Sequence, residues 1–237
     1  MKIIGLTGGV GMGKTTAADL LRERGVRVVD TDEIARQITA PGQPALAEIR
    51  AVLGDEFFAA DGALLRAALA EKVFSDASAR RRLEAILHPR IRVLWQEQVA
   101  RWRAEGVRLA VVVIPLLFEI AAQAEFDLTV CLGCSATIQH QRLLSRGWSS
   151  EQIARRQQAQ LPLEKKMAAA NHVLWNDGDR LALAAQLDRL LAATALVEGV
   201  ELWPTDNVLE KLTGFPHRYF PNRLENPPGT LPAGRRA

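Results

Sequence analysis

Cysteine is almost absent: Cys131 and Cys134 are the only two in 237 residues. So few exclude the disulfide framework of a small secreted domain. They form a C-x-x-C, yet in an apolar strand-like stretch residues three apart point to opposite faces, which suits neither a shared metal nor a redox dithiol. The four histidines, His88, His140, His172 and His217, have no metal-like spacing. Long apolar runs are missing as well. The longest, Leu109 to Phe118, contains Pro115 and is about half the roughly 20 residues that a membrane-spanning helix needs. The N-terminal stretch carries Lys14 and several glycines where a secretory signal needs unbroken apolarity. We expect a cytoplasmic protein without a membrane partner.

No block of one charge is present either. Thirty basic and 27 acidic residues leave +3, spread along the chain, so wholesale nucleic-acid binding is not expected. Arginine outnumbers lysine 24 to 6, which fits bidentate phosphate recognition and equally fits the compositional bias behind the abundant alanine. With 48% hydrophobic and 24% charged residues the composition is that of an ordinary globular chain, and no internal repeat is visible.

Strands and helices alternate at the start. Lys2 to Thr7 reads as a buried strand, Gly8 to Gly13 as a glycine turn, and the following stretch, with Ala17, Ala18, Leu20 and Leu21, as an amphipathic helix. Gly25 stops that helix, Val26 to Val29 forms a second strand, and Glu33 to Ile38 resumes helical periodicity. This order implies an α/β fold with a doubly wound parallel sheet. About residues 41–106 read as helical: Ala45 to Leu53, Leu64 to Phe74, Ala79 to Leu87 and Ile91 to Ala104, the last two separated at His88-Pro89. Leu109 to Ile114, Leu128 to Leu132 and Val173 to Trp175 return as strands, making five. Between the last two lie short helices at Ala136 to Arg146, Ser149 to Gln160 and Leu163 to Ala170, the second opened by a Ser149-x-x-Gln152 capping box. The stretch of about 142–170 could swing as a lid. After a terminal helix at Leu181 to Ala195, six of the 11 prolines fall from Pro204 onward, so 201–237 is expected to be an extension, disordered in part.

Gly8-Gly9-Val10-Gly11-Met12-Gly13-Lys14-Thr15 satisfies G-x-x-x-x-G-K-[ST] between a strand and a helix, the context that marks a true phosphate loop. Glycines let backbone N–H groups curl around phosphate oxygens. Lys14 reaches the β- and γ-phosphates, and the Thr15 hydroxyl can hold Mg²⁺. ATP and Mg²⁺ are the expected cofactors. The metal-holding acidic residue that ends a strand in motor ATPases is missing after Ala110 to Ile114, and no Asn-Lys-x-Asp guanine reader occurs.

Asp30 and Asp32 end the second strand, on the edge where open α/β sheets bind ligands. Asp32 can orient an attacking hydroxyl, or it can cap the next helix. Arg142 and Arg146 share a helix face and can close over a triphosphate or stay solvated. His88, before Pro89, would project from a bend between two helices, and its role is open.

Five ordered segments resemble the dephospho-CoA kinase family, which performs the last step of coenzyme A synthesis. The loop Leu6-Thr7-Gly8-Gly9-Val10-Gly11-Met12-Gly13-Lys14-Thr15-Thr16 resembles its opening signature, and Asp30-Thr31-Asp32-Glu33-Ile34-Ala35-Arg36 its D-x-D-x-x-A-R. Asp61-Gly62-Ala63-Leu64-Leu65-Arg66 is similar to D-G-x-L-x-R, Leu83 to Pro89 to L-x-x-x-x-H-P, and Pro115-Leu116-Leu117-Phe118-Glu119 to P-L-L-x-E.

The resemblance spans residue 1 to about 200. It implies a P-loop kinase fold with a helical substrate-binding insertion and a helical lid, transferring the ATP γ-phosphoryl group to the ribose 3′-hydroxyl of 3′-dephospho-CoA. By the same resemblance Asp32 is the base, with Lys14 and Arg142 the other catalytic residues. Gly8, Gly9, Gly11, Met12, Gly13, Lys14, Thr15, Thr16, Arg142, Arg146, Asn176 and Gly178 hold the nucleotide, the last two near adenine. Thr7, Asp32, Arg66, His88, Pro115, Leu116 and Glu119 serve the acceptor. Met12 and Thr15 stand where the family often has Ser, and Asn171 where an Asp frequently follows Ala. Two other functions are carried beside this one: another nucleoside or nucleotide kinase, and a nucleotide-dependent regulatory binding module.

Overall fold

Leu109–Val113 is buried at every position, and Lys2–Gly8 nearly so, whereas Arg27–Asp30 and His172–Trp175 expose several residues. Continuous burial belongs to the middle of a sheet covered on both faces, and partial exposure to its edges. The structure, a computed structural model, describes residues 1–196 and shows that arrangement. The five strands, β1 (Lys2–Gly8), β2 (Arg27–Asp30), β3 (Leu109–Val113), β4 (Leu128–Gly133) and β5 (His172–Trp175), form one parallel sheet in the order β2-β3-β1-β4-β5. All five expected strands are present. Residues Met1–Leu190 make one compact unit. The expected extension, 201–237, lies outside the described residues.

Between β1 and β2 runs α1 (Lys14–Glu23), which buries Ala17, Ala18, Leu20 and Leu21 and ends where Gly25 turns at φ 74°. Asp30 caps α2 (Thr31–Ile38), accepting the Asp32 N–H at 2.8 Å. Then come α3 (Pro44–Leu53), a 3-10 turn at Asp55–Phe57, α4 (Arg66–Ser75) and α5 (Ala77–Ala104), which together form the expected helical block. Its own core contains Ile49, Leu53, Phe57, Leu69, Val73 and Ile86. A separate core, with Ile34, Trp95, Val99, Trp102 and Val112, seats α2 and α5 on the sheet.

One expectation fails here. Ala79 to Leu87 and Ile91 to Ala104 are not two helices, because α5 continues through Pro89 for 28 residues, and His88 therefore lies within a helix and not at a bend. Proline removes one helical hydrogen bond, but burial of Ile86 on one side and Trp95 on the other holds both halves in line. The Ala85 carbonyl, which loses its partner, belongs to an exposed residue and can turn to water.

Beyond β4 follow α6 (Ala136–Leu144), α7 (Ser150–Gln158) and α8 (Leu163–Ala169), then β5 and α9 (Arg180–Leu196). Ser135 caps α6, and both halves of the Ser149/Gln152 capping box are formed at α7. The departure at Asn171 now has a structural role. Its side-chain oxygen accepts from both the N–H and the hydroxyl of Thr129 at 2.8 Å, fastening the entry of β5 to β4 without needing a charge.

Candidate active site

The chain leaves β1 toward β2 and leaves β3 and β4 toward the opposite edge, so a crevice opens at the C-terminal ends of these central strands. The phosphate loop closes that end of β1. Gly8, Gly11 and Gly13 take φ values of 146°, 76° and 94°, which side chains rarely adopt. A Cβ on Gly13 would also lie 2.2 Å from the Asn176 amide nitrogen. That amide donates to the Met12 carbonyl at 3.0 Å, which places Asn176 beneath the loop as a brace.

Lys14 folds back over the loop, donating to the Gly8 and Gly9 carbonyls at 2.8 and 2.9 Å. Burial pushes its ammonium down to about 8, against the pull of the Asp32 and Asp30 carboxylates. Burial likewise pushes the Asp30 carboxyl above its ordinary range. Because Asp30 takes the helix cap, the capping alternative for Asp32 is wrong. Asp32 sits in the first turn of α2, exposed, and its carboxylate accepts no hydrogen bond among the described residues.

Three of the loop amides, those of Gly9, Val10 and Met12, already have partners. Met12 buries its thioether inside the loop, where the sulfur accepts the Gly9 N–H at 3.1 Å, and its own N–H reaches the Gly9 carbonyl at 3.4 Å. Val10 donates to Gln160 at 3.1 Å and accepts from Gln139 at 2.7 Å, and Gln157 in turn donates to Gln139 at 2.7 Å. The segment from α6 to α8 therefore converges on Val10.

Thr7 is buried, and its hydroxyl donates to the Pro115 carbonyl at 3.2 Å. Lys166, from α8, is wholly buried and donates to the same carbonyl at 2.8 Å while pairing with Glu119 at 2.7 Å. Glu119 also accepts the Leu161 N–H at 2.8 Å, so it ties the start of α8 to the turn after β3. Arg142 stands beside Cys134 and Asp177, with one buried guanidinium nitrogen that has no hydrogen-bond partner. The Ser135 N–H holds the Asp177 carboxyl below its ordinary range. Cys131 and Cys134 are buried free thiols, and burial pushes the Cys131 thiol up to about 11.

Thr7, the loop, Thr15, Thr16, Asp32, Pro115, Glu119, Arg142 and Asn176 thus gather around one crevice. Leu116 is half-buried in the turn after β3, Gly178 is exposed just before α9, and Arg146 is exposed beyond the end of α6. Arg66 and His88 belong to the helical block. Arg66 donates to the Arg36 and Thr39 carbonyls and lines a cavity of about 250 Å³ with Ala35, Thr39, Leu69 and Phe74. His88 is half-buried on α5. Sequence reading missed Lys166, Gln139 and Gln160. Each is a polar residue on or beside a short helix and carries no pattern of its own.

A phosphate chain fits this set of residues: the glycine cradle admits no side chain at Gly13, and the orphaned Arg142 nitrogen awaits an acceptor. A family model described as dephospho-CoA kinase matches residues 2–181. A dephospho-CoA kinase from Anaeromyxobacter dehalogenans is 47% identical over 193 residues, covering 81% of this chain and 92% of that protein. A crystal structure from Thermus thermophilus is 35% identical with a TM-score of 0.69, covering 81% of this chain and 97% of the other. A dephospho-CoA kinase structure from Campylobacter jejuni, at 22% identity and a TM-score of 0.60, covers 83% and 98% and shares the fold.

Proposed function

The chain belongs to the dephospho-CoA kinase family, and from that footing we propose how its own residues transfer the ATP γ-phosphoryl group to the ribose 3′-hydroxyl of 3′-dephospho-CoA, the final step of coenzyme A synthesis. The observation that carries this reading is the exposed Asp32 carboxylate, which Asp30 leaves free of the helix cap and whose charge acts on the Lys14 ammonium.

The loop amides and Lys14 bind the β- and γ-phosphates, and Arg142 supplies its free N–H to the transferring group. To admit the phosphates, the Gly9 and Val10 N–H groups exchange Met12 and Gln160 for phosphate oxygen. Asp32 accepts the proton of the 3′-hydroxyl as that oxygen bonds to the γ-phosphorus. The bond from phosphorus to the β–γ bridging oxygen breaks, and ADP leaves. Thr15 would hold Mg²⁺ together with the ATP phosphates, with Asp30 and Asp32 nearby as hard oxygen donors. When bound, the ion neutralises phosphate charge. Residues 142–170 act as the lid, hinged at Gly147 and at Leu161, and Arg146 joins Arg142 on closure. Asn176 and Gly178 border the adenine pocket. The helical block of about 41–106 receives the remainder of the acceptor, with Arg66 and His88 on that side and Thr7, Pro115, Leu116 and Glu119 shaping the seam. A cytoplasmic setting suits the two reduced thiols.

The test is an assay with ATP and Mg²⁺ in which 3′-dephospho-CoA competes beside adenosine, AMP and shikimate, with products identified by mass spectrometry. Selective formation of CoA and ADP is expected. Preference for another acceptor would sink the assignment.

A further inference from the structure

We propose that Arg156 grips the diphosphate of the acceptor. This rests on the functional reading above and adds a residue to it. Arg156 lies on α7, where its guanidinium sits 3.9 Å from the centroid of the Trp148 ring and 4.5 Å from that of Phe74. It makes no hydrogen bond or ion pair among the described residues, whereas its neighbour Arg155 pairs with Glu151. A guanidinium held over ring faces keeps its N–H donors at the rim of its plane, free for another partner. Burial, with no carboxylate to offset it, presses its pKa below the ordinary value, so the charge is held there without a counter-ion.

Its position explains what anion it meets. On one side, Phe74 lines the largely apolar cavity of about 250 Å³ between α2, α3, α4 and α5, which Arg66 also lines. On the other, the adjacent Gln157 bonds to Gln139, which holds the Val10 carbonyl of the phosphate loop. Arg156 therefore sits against the Phe74 wall of the cavity, on the helix whose next residue reaches the phosphate loop. 3′-Dephospho-CoA has the same order: a reacting ribose, then a diphosphate, then a long uncharged arm. With the ribose at Asp32 and the arm in the cavity, whose wall includes Ala35 and Thr39 from around Asp32's own helix, the diphosphate passes Arg156. Bidentate N–H pairing with phosphate is what arginine, and not lysine, does best.

The test compares the full-length wild type with Arg156→Met, which keeps an apolar stem between the rings, and Arg156→Lys, which keeps the charge. KM for 3′-dephospho-CoA, KM for ATP, kcat and melting temperature are measured for each. Arg156→Met is expected to raise the acceptor KM about 10- to 100-fold while ATP KM moves less than about threefold, with Arg156→Lys in between. An unchanged acceptor KM in Arg156→Met overturns the proposal. An equal rise in ATP KM also overturns it, because the guanidinium then serves the donor. So does a fall in kcat and melting temperature with no change in the ratio of the two KM values, the signature of a packing clamp alone. Failure of the wild type to form CoA would sink the functional reading itself and this proposal with it, and is distinguished because it precedes any variant.

Discussion

Two carboxylates two residues apart have different work. Asp30 is buried and spends an oxygen on the Asp32 N–H, which leaves the Asp32 side chain exposed at the crevice. Asp32→Asn is expected to lower kcat about 10²- to 10⁴-fold while the Kd for ATP stays within about threefold. Comparable loss of ATP binding would remove Asp32 from its role as base. Gly13 illustrates a backbone requirement: at φ 94°, with the Asn176 amide where a Cβ would go, Gly13→Ala is expected to destabilise by about 1–3 kcal/mol and to weaken ATP binding at least tenfold. Thermal melts and ATP titration check both. Glycine spacing made this position legible in the sequence, but its collision partner, 163 residues away at Asn176, was not.

Among the elements, α5 shows how packing overrides a local signal. His88-Pro89 reads as a break, yet buried Ile86 and Trp95 on either side keep a single helix. Its start is a titrating cap. The Ala79 N–H, then the Lys72 ammonium and the Ser78 N–H, hold the Asp76 carboxyl at about 2 against an ordinary 3.8. A carboxyl with a depressed folded value stabilises above its unfolded pKa and loses that contribution as pH falls through the folded one. Asp76→Ala should therefore flatten the loss of stability between pH 3.8 and about 2, followed as melting temperature against pH. The link from α8 to the turn after β3 rests on an ion pair whose Lys166 end is wholly buried. Glu119→Ala would strand the Lys166 ammonium with only the Pro115 carbonyl, for a loss of about 3–5 kcal/mol in denaturant unfolding at constant m. Lys166→Met should lose less, since Glu119 keeps the Leu161 N–H and is 19% exposed.

Across the molecule, the sheet order brings residues from the loop after β1, the start of α2, the turn after β3 and helix α6 to one edge. Ligand binding there should stabilise the chain by mass action. ATP with Mg²⁺ at about 100 times Kd is expected to add about 2.7 kcal/mol, a rise of roughly 5–10 °C in melting temperature, and Lys14→Met should abolish it. Absence of a shift in the wild type would mean that the loop does not bind nucleotide.

Local chemistry was readable without coordinates: strand, glycine turn and helix need only neighbouring residues, so the phosphate loop, the five strands and the Ser149 capping box stood in the sequence as short patterns. Long-range partners did not. Whether Asp30 or Asp32 caps α2, that Lys166 loses all solvent contact beneath Pro115, and that Gln160 occupies the Val10 N–H depend on which distant elements pack together. The sequence by itself determined what each segment can form and which groups can meet phosphate. Only the tertiary structure decided which of those groups are already engaged and which, like Asp32, the Arg142 nitrogen and Arg156, remain to be met, because burial and pairing are properties of packed elements and not of any one segment.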